Sequence, residues 1–431
     1  MRGSVRFLDT RPLRSSRPFR DLWVGSSASQ LGGQIATVAV LAQVWDLTGS
    51  PVGTGAIGLA TGLPLVLFGL LGGTLADAVD RRAVVRATTA GQLLAAAGLC
   101  AQALADNRNV LLLLVLVAMG AACGALGAPS RRTFPVRLLP ADQVAAGLAL
   151  TNVSFQAAML AGPALAGMII TYGGFPAAYA AQALAAVVSV LAVVRLPAMR
   201  PESADAAVRR RPERGGWRVV LRRPTLWGSM ATDLSATLLA MPIALFPLVN
   251  EIRFDGNPQS LGLFLSAVAV GGIAVGLLSG TVTRWRRGGL VQLIAAAVWG
   301  LALAGFGLAG PLWLALGCLA VAGAADTVSV VTRSALVQLE TPDAYRGRVS
   351  SVEHVIGVAG PELGNFRGGL LASATSAPFA LVVGGLSATL AIGAVAATNS
   401  SLRAYRTPTP TAPAAPEPTE PGAVGAATAA G

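Results

Sequence analysis

The chain has no lysine, and all 32 of its basic residues are arginine. It has one histidine, three cysteines and 5% aromatic residues, and charged residues make up only 12% of its 431 positions. Each scarcity excludes something. A soluble domain of this size would carry roughly twice that share of charge. The cysteines, Cys100, Cys123 and Cys318, lie inside apolar runs and give neither a disulfide framework nor a metal spacing, so no metal or other cofactor is expected. No phosphate loop, zinc spacing or nucleophile triad occurs, which argues against an enzyme. A net charge of +12 invites a nucleic-acid reading, but that reading needs a basic face on a soluble domain. Here the arginines stand between apolar segments. What the chain has in excess is apolar residue, 54% of the total with a mean hydropathy of +0.64, which implies repeated passage through a lipid bilayer.

With a window of about 20 residues per span, the sequence predicts an all-α membrane protein of twelve helices in two groups of six. The first group covers 22–45, 52–76, 84–105, 110–128, 145–171 and 174–194; the second covers 226–249, 260–281, 288–308, 312–331, 349–371 and 377–397. The first twenty residues hold six arginines and no apolar run, so the first span is expected to be both insertion signal and permanent helix. With the N-terminus placed in the cytoplasm, only Arg108, Arg253 and Arg367 fall outside, leaving 29 of the 32 arginines inside. The expected organisation is a cytoplasmic N-terminal segment (1–21), a six-helix bundle (22–195), a cytoplasmic linker (196–225), a second bundle (226–398) and a disordered cytoplasmic tail (399–431) rich in Pro, Ala, Thr and Glu. Arg132, Val136, Leu138 and Asp142 recur at one offset as Arg333, Val337, Leu339 and Asp343, which suggests a duplication.

Several stretches carry mechanism. The turn after the second span contains Gly73, Asp77, Asp80, Arg81 and Arg82. Glycine admits a close helix neighbour, Asp77 suits a helix N-terminus, and the arginines can pair with acids or lipid phosphates. Such a latch can break and reform; a plain positive-inside turn is the alternative. The counterpart turn, Gly280 to Arg287, keeps glycine and arginines but lacks the acid. In the fifth span, Pro163 frees a carbonyl and bends the helix while Gly162 and Gly167 allow tight packing. Gly272, Gly276 and Gly280 form a stripe on the eighth span, read as helix packing.

Charged groups inside a bilayer are expensive and mark functional candidates. Asp233, Glu362, Asp326 and Glu353 are therefore the proton-coupling candidates, with Asp233 placed first because its own span offers no arginine at helical spacing. Asp326 has Arg333 two turns away as an alternative structural partner, and Glu353 has Arg131 or Arg132. Gln30 with Gln34, Asn152 with Gln156, and Asn365 are candidates for lining a polar substrate cavity; amides that only tie helices together are the other reading. His354, next to Glu353, is read as a packing residue.

The Gly73–Arg82 turn resembles the signature loop of the major facilitator superfamily. The Gly162–Gly167 segment resembles the element that antiporters of this superfamily carry in the fifth span, with Ala158 and Ala166 in place of two of its glycines. Pro12–Arg14 with Phe19 and Arg20, Leu47–Pro51, Ala128–Arg131, Thr341–Asp343 with Arg346–Val349, and Glu362–Phe366 resemble the enterobactin-exporter-like branch, and the similarity runs from about residue 12 to 400. That resemblance implies alternating access and export of a small amphipathic molecule, siderophore or drug-like, by proton antiport. The implied partners are a small-molecule substrate, protons and the lipid bilayer of a bacterial inner membrane, with no nucleic acid, and the working unit is a monomer. Uptake by the same fold and a non-transporting membrane sensor are the competing readings. Gly33 stands where many relatives carry an acidic or hydroxyl residue.

Overall fold

The computed structural model describes residues 9–196, 216–277, 287–342 and 345–406. Among them there is no strand. The helices are α1 (Arg11–Ser15), α2 (Arg17–Thr48), α3 (Pro51–Ala78), α4 (Arg81–Leu104), α5 (Val110–Leu138), α6 (Val144–Val194), α7 (Gly216–Arg222), α8 (Pro224–Ala240), α9 (Phe246–Phe254), α10 (Pro258–Leu277), α11 (Gly288–Leu308), α12 (Leu312–Glu340), α13 (Arg346–Ala374), α14 (Ala377–Thr398) and α15 (Ser400–Ala404). Helix α6 is two helices joined at Gly174, whose φ of 68° is open to glycine and costly for other residues. Nine helical stretches among the described residues are long and apolar enough to cross a membrane. The expected first and eleventh spans correspond to α2 and α13, which are as long but more polar. They carry Gln30, Gln34 and Gln43, and Glu353, Glu362, Asn365 and Arg367.

The expected seventh span is interrupted. Met241 and Pro242 break it between α8 and α9, and a short 3-10 turn, Ile243–Leu245, bridges the gap. Proline at that point removes a helical donor, and irregular backbone at membrane depth must find partners within the protein. Ala244 supplies the answer: its N–H donates to Asn365 Oδ1 at 3.2 Å, and its carbonyl accepts from Thr54 Oγ1 at 2.7 Å.

Helices α2 to α6 pack on one another, and α8 to α14 form a second packed group. The first group is tied by a buried network in which Gln43 Oε1 accepts from the Tyr179 hydroxyl at 2.7 Å and from Gln102 Nε2 at 3.0 Å. In the second, Ser229 Oγ donates to Gln292 Oε1 at 2.9 Å, and Phe246, Phe264 and Phe306 meet edge to face at 5.4–5.5 Å.

Several arginines cap helix C-termini, where unpaired carbonyls and the negative end of the helix dipole favour a cation. Arg253 donates to the carbonyls of Gly307 at 2.6 Å and Ala309 at 2.5 Å, closing α11. Arg86 donates to Val194 O at the end of α6, and Arg223 to Glu340 O at the end of α12. The Arg86 and Arg223 contacts also gather one set of helix ends. Ser15 meets Gln143, and Asn399 Nδ2 donates to Pro224 O, so both described chain ends lie on the same face. That face is called proximal below, and the opposite one distal.

Candidate functional site

The two helix groups meet along two seams. In one, α3 lies against α13. A Cβ built on Gly62 would come within 2.6 Å of Glu362 Cβ, and one on Gly58 within 2.7 Å of Glu362 O. Only glycine permits that approach. Glu362 is half-buried and lies against Gly58 and Gly62 of α3, with Asn365 three residues on in its own helix. The Thr54–Ala244–Asn365 contacts extend this seam distally. In the other seam, α6 lies against α10. A Cβ on Gly167 would meet Pro258 O at 2.6 Å and Gln259 Cα at 2.9 Å, Gly262 packs on Pro163 O, and Ser266 Oγ donates to Leu160 O at 2.9 Å. Gly162 faces inward within its own group, against Gln34. Both seams use the distal parts of their helices: the starts of α3 and α10, the end of α13 and the end of the first half of α6.

A charged cluster stands in the second group. Arg333 of α12 forms an ion pair with Asp233 of α8, and its Nε lies 3.4 Å from Glu353 Oε1 of α13. Ser334 Oγ also reaches Glu353 Oε1, at 3.3 Å. Asp233 and Arg333 are both buried. Asp326 lies in electrostatic range of Asp233 and Arg333. Two expectations change. Asp233 is not without a cation, since its partner comes from another helix. Glu353 pairs with Arg333 and not with Arg131, and the side chain of Arg132 lies outside the described ones.

Arg131 instead points at neutral groups of α4: its Nη2 donates to Thr89 Oγ1 at 2.7 Å and to Gln92 Oε1 at 2.8 Å. It lines a cavity of about 480 Å³ together with Phe19, Trp23, Ser29 and Gln30. A second cavity, about 350 Å³, shares Ser29 and is lined by Gly33, Thr37, Thr61, Gln92 and Gln182. Of the amides expected to line a cavity, Gln30 does so. Gln34 packs on Gly162, Asn365 holds the α8–α9 break, and Asn152 is exposed and, like Gln156, absent from both linings.

In the loop after α3, Asp80 caps α4 by accepting from Arg82 N at 2.9 Å, and Arg82 Nη2 reaches Val194 O at 3.4 Å. Gly73 and Asp77 lie in α3, and the surroundings of Asp77 fall outside the described side chains, as does the turn from 278 to 286. Of the expected glycine stripe on α10, Gly272 packs near Thr327, Gly276 has open space around it, and Gly280 is outside the described residues. The glycine that brings α10 tightly onto α12 is Gly271. His354 is exposed. The bounds of α5 and α12 stand in register, Val110 with Leu312 and Leu138 with Glu340, which sets Arg131 opposite Arg333. The echo in the sequence had aligned Arg132 there, one residue away. Sequence reasoning missed Arg131, Gln92, Gln182 and the seam glycines Gly58, Gly62 and Gly262. The four-residue spacing of Gly58 and Gly62, and an arginine in spans otherwise lacking acids, were the available signals.

Comparison with known proteins places this arrangement. A family profile described as transmembrane secretion effector matches residues 9–421. The enterobactin exporter EntS of Citrobacter koseri is 26% identical over 407 residues, covering 92% of this chain and 95% of its own. EntS of Shigella boydii is 25% identical, covering 87% and 91%. Among solved structures, the nucleoside transporter NupG superposes with a TM-score of 0.68 at 14% identity, over 90% of this chain and 98% of its own. A D-xylose-proton symporter gives 0.66 at 15% identity, over 88% and 96%. At those identities the structures attest the fold alone. The chain is a membrane transporter of the major facilitator superfamily and belongs to its transmembrane secretion effector family, in the branch of the enterobactin-exporter relatives.

Proposed function

We propose that this protein exports a small amphipathic molecule, siderophore or drug-like, across a bacterial inner membrane by alternating access, with protons moving inward in exchange. The observation that carries the reading is the position of Glu362. It sits in the α3–α13 seam, between the two groups that an alternating-access cycle must part and rejoin. Closing a seam over a carboxylate strips it of water, so the proton-free form opposes closure and the protonated form allows it. A proton taken from the distal side then favours the state described here, closed distally. Its loss on the proximal side, together with substrate binding, favours the reverse. That sequence moves substrate out as protons move in.

Twelve spans, formed by α2 to α6, the interrupted α8–α9 helix and α10 to α14, fit this cycle if residues 22–195 and 226–398 rock as two bundles. Cytoplasmic termini follow from the arginine alternation. The Asp233–Arg333–Glu353 cluster lies within the second bundle and holds three of its helices together, so Glu362 is ranked above Asp233 as the coupling carboxyl. Export is supported by the names of the curated relatives. Asp80, Arg81 and Arg82, with Gly73 and Asp77, serve as the latch at the proximal end, and a monomer suffices for the cycle.

Everted membrane vesicles offered a panel of labelled amphipathic compounds test the reading. Accumulation that stops when the proton gradient is collapsed is the expected result, and a rate indifferent to the gradient would refute coupling. Loss of the gene should raise the cellular content of the substrate; a fall would mean uptake.

A further inference from the structure

We propose that the cavity bounded by α2, α4, α5 and α6 is a binding subsite for an organic acid, with Arg131 receiving the anionic group. This deepens the exporter reading, and rests on it for calling the acid a substrate.

The starting point is an imbalance of charge. Arg131 lies in the proximal half of a membrane helix, yet its hydrogen-bond partners are a hydroxyl and an amide oxygen. Its Nε is buried without a hydrogen-bond partner. None of the ion pairs among the described residues includes it. The acids of the first helix group, Asp21, Asp46, Asp77, Asp80, Asp106 and Asp142, all stand at or near helix ends or in loops. A guanidinium largely withdrawn from water without a counter-charge is costly, and neutral oxygens offset only part of that. In the second group the equivalent position, Arg333, carries two carboxylates. The first group lacks such an acid, and a ligand can bring it.

The cavity supplies the rest of the chemistry. Its walls near Arg131 are apolar and aromatic, with Phe19, Leu22, Trp23 and Leu148. Gln30 lines the same space, and its Oε1 is buried with no hydrogen-bond donor. Gln92, which Arg131 grips, lines the adjoining cavity, where Gln182 Oε1 is likewise buried and without a partner. Each cavity, about 480 and 350 Å³, falls within the size range of small-molecule sites. The complementary ligand has an aromatic or aliphatic body and one acidic group for Arg131. It also has a hydroxyl or N–H to donate to an amide oxygen. A lipid headgroup shares the anionic chemistry, so the test separates the two sources.

The full chain is placed in nanodiscs of phosphatidylcholine and titrated calorimetrically with 1-naphthoate, 1-naphthylmethanol and 1-naphthylmethylammonium. Expected is binding of the acid at least tenfold tighter than of the alcohol or the cation. Arg131→Gln should remove that preference, and Arg131→Lys should retain part of it. Should Arg131→Gln fail to fold, Gln30→Leu in the same cavity should still weaken 1-naphthoate severalfold with the melting temperature little changed. Equal binding of acid and alcohol by the unaltered chain, or undiminished binding of the acid by folded Arg131→Gln, would overturn the proposal. Repeating the titration in phosphatidylglycerol nanodiscs identifies the source. Binding that persists supports a small organic acid, whereas binding abolished there would give the site to a lipid headgroup and refute the assignment. Because the readout is binding, a chain that binds 1-naphthoate but transports nothing would fail the exporter reading alone, and a proton-driven exporter without the acid preference would fail this proposal alone.

Discussion

Alanine at Gly167 probes the closed distal face most sharply. A Cβ there would lie 2.6 Å from Pro258 O and 2.9 Å from Gln259 Cα. Ordinary contacts begin near 3.4 Å, so α6 and α10 would have to separate by about 0.8 Å. The atoms in the way are backbone, which cannot rotate aside as a side chain can. Overpacking of this kind costs about 1–3 kcal/mol, and here the cost falls only on the state in which the seam is closed. The ratio of distally closed to distally open molecules should therefore drop by roughly 5- to 150-fold. Gly62→Ala loads the other seam in the same way against Glu362 Cβ. Spin labels at Asn107 and Gly310, in distal loops of the two helix groups, report the change by electron–electron double resonance once the three native cysteines are replaced. A longer-distance population should appear in each variant and dominate in the double variant. An unchanged distance distribution in a folded double variant would show that these glycines do not clamp the distal face.

Three further outcomes concern the framework. Asp233→Asn should cost about 3 kcal/mol, the lower end for a broken buried pair, because Glu353 remains 3.4 Å from Arg333 Nε. Pairing it with Arg333→Gln should recover much of the loss in thermal unfolding in detergent, and strictly additive losses would count against the pair. Gln43→Leu should cost about 1–3 kcal/mol by stranding the Tyr179 hydroxyl and Gln102, and Tyr179→Phe less, since Gln102 still donates to Gln43; equal losses would refute that network. Arg253→Gln should lower stability by about 1 kcal/mol through loss of the α11 cap and leave transport intact, whereas a selective loss of transport would assign Arg253 another role.

The helices were legible from apolar length, but α5 and α12 run on to Leu138 and Glu340, past the expected ends at 128 and 331, because helix continues beyond the apolar window. The hairpin at Gly174 was anticipated by the gap between 171 and 174. What the sequence left open were rotations. Whether Asp233 faces Arg333 depends on how α8 and α12 turn about their axes, and spacing within one helix says nothing of that. The same ambiguity hid Gly271, which makes a closer approach to α12 than the expected Gly272 does. Arg131 was hidden for a different reason. A cation near a turn expected to face the cytoplasm reads as topology, and only the neutrality of its hydrogen-bond partners marks it as more. The α8–α9 break carried a local signal in Pro242, but its partners, Thr54 and Asn365, come from distant segments.

The most direct measurement of proton-driven export uses everted vesicles containing either the unaltered chain or Glu362→Gln, with a compound that the unaltered chain accumulates. With the unaltered chain, accumulation should require the proton gradient and each transport cycle should move protons in the opposite direction. Glu362→Gln should still exchange substrate across the membrane but gain nothing from the gradient. Gradient-driven accumulation undiminished in Glu362→Gln would contradict the coupling role of the α3–α13 seam.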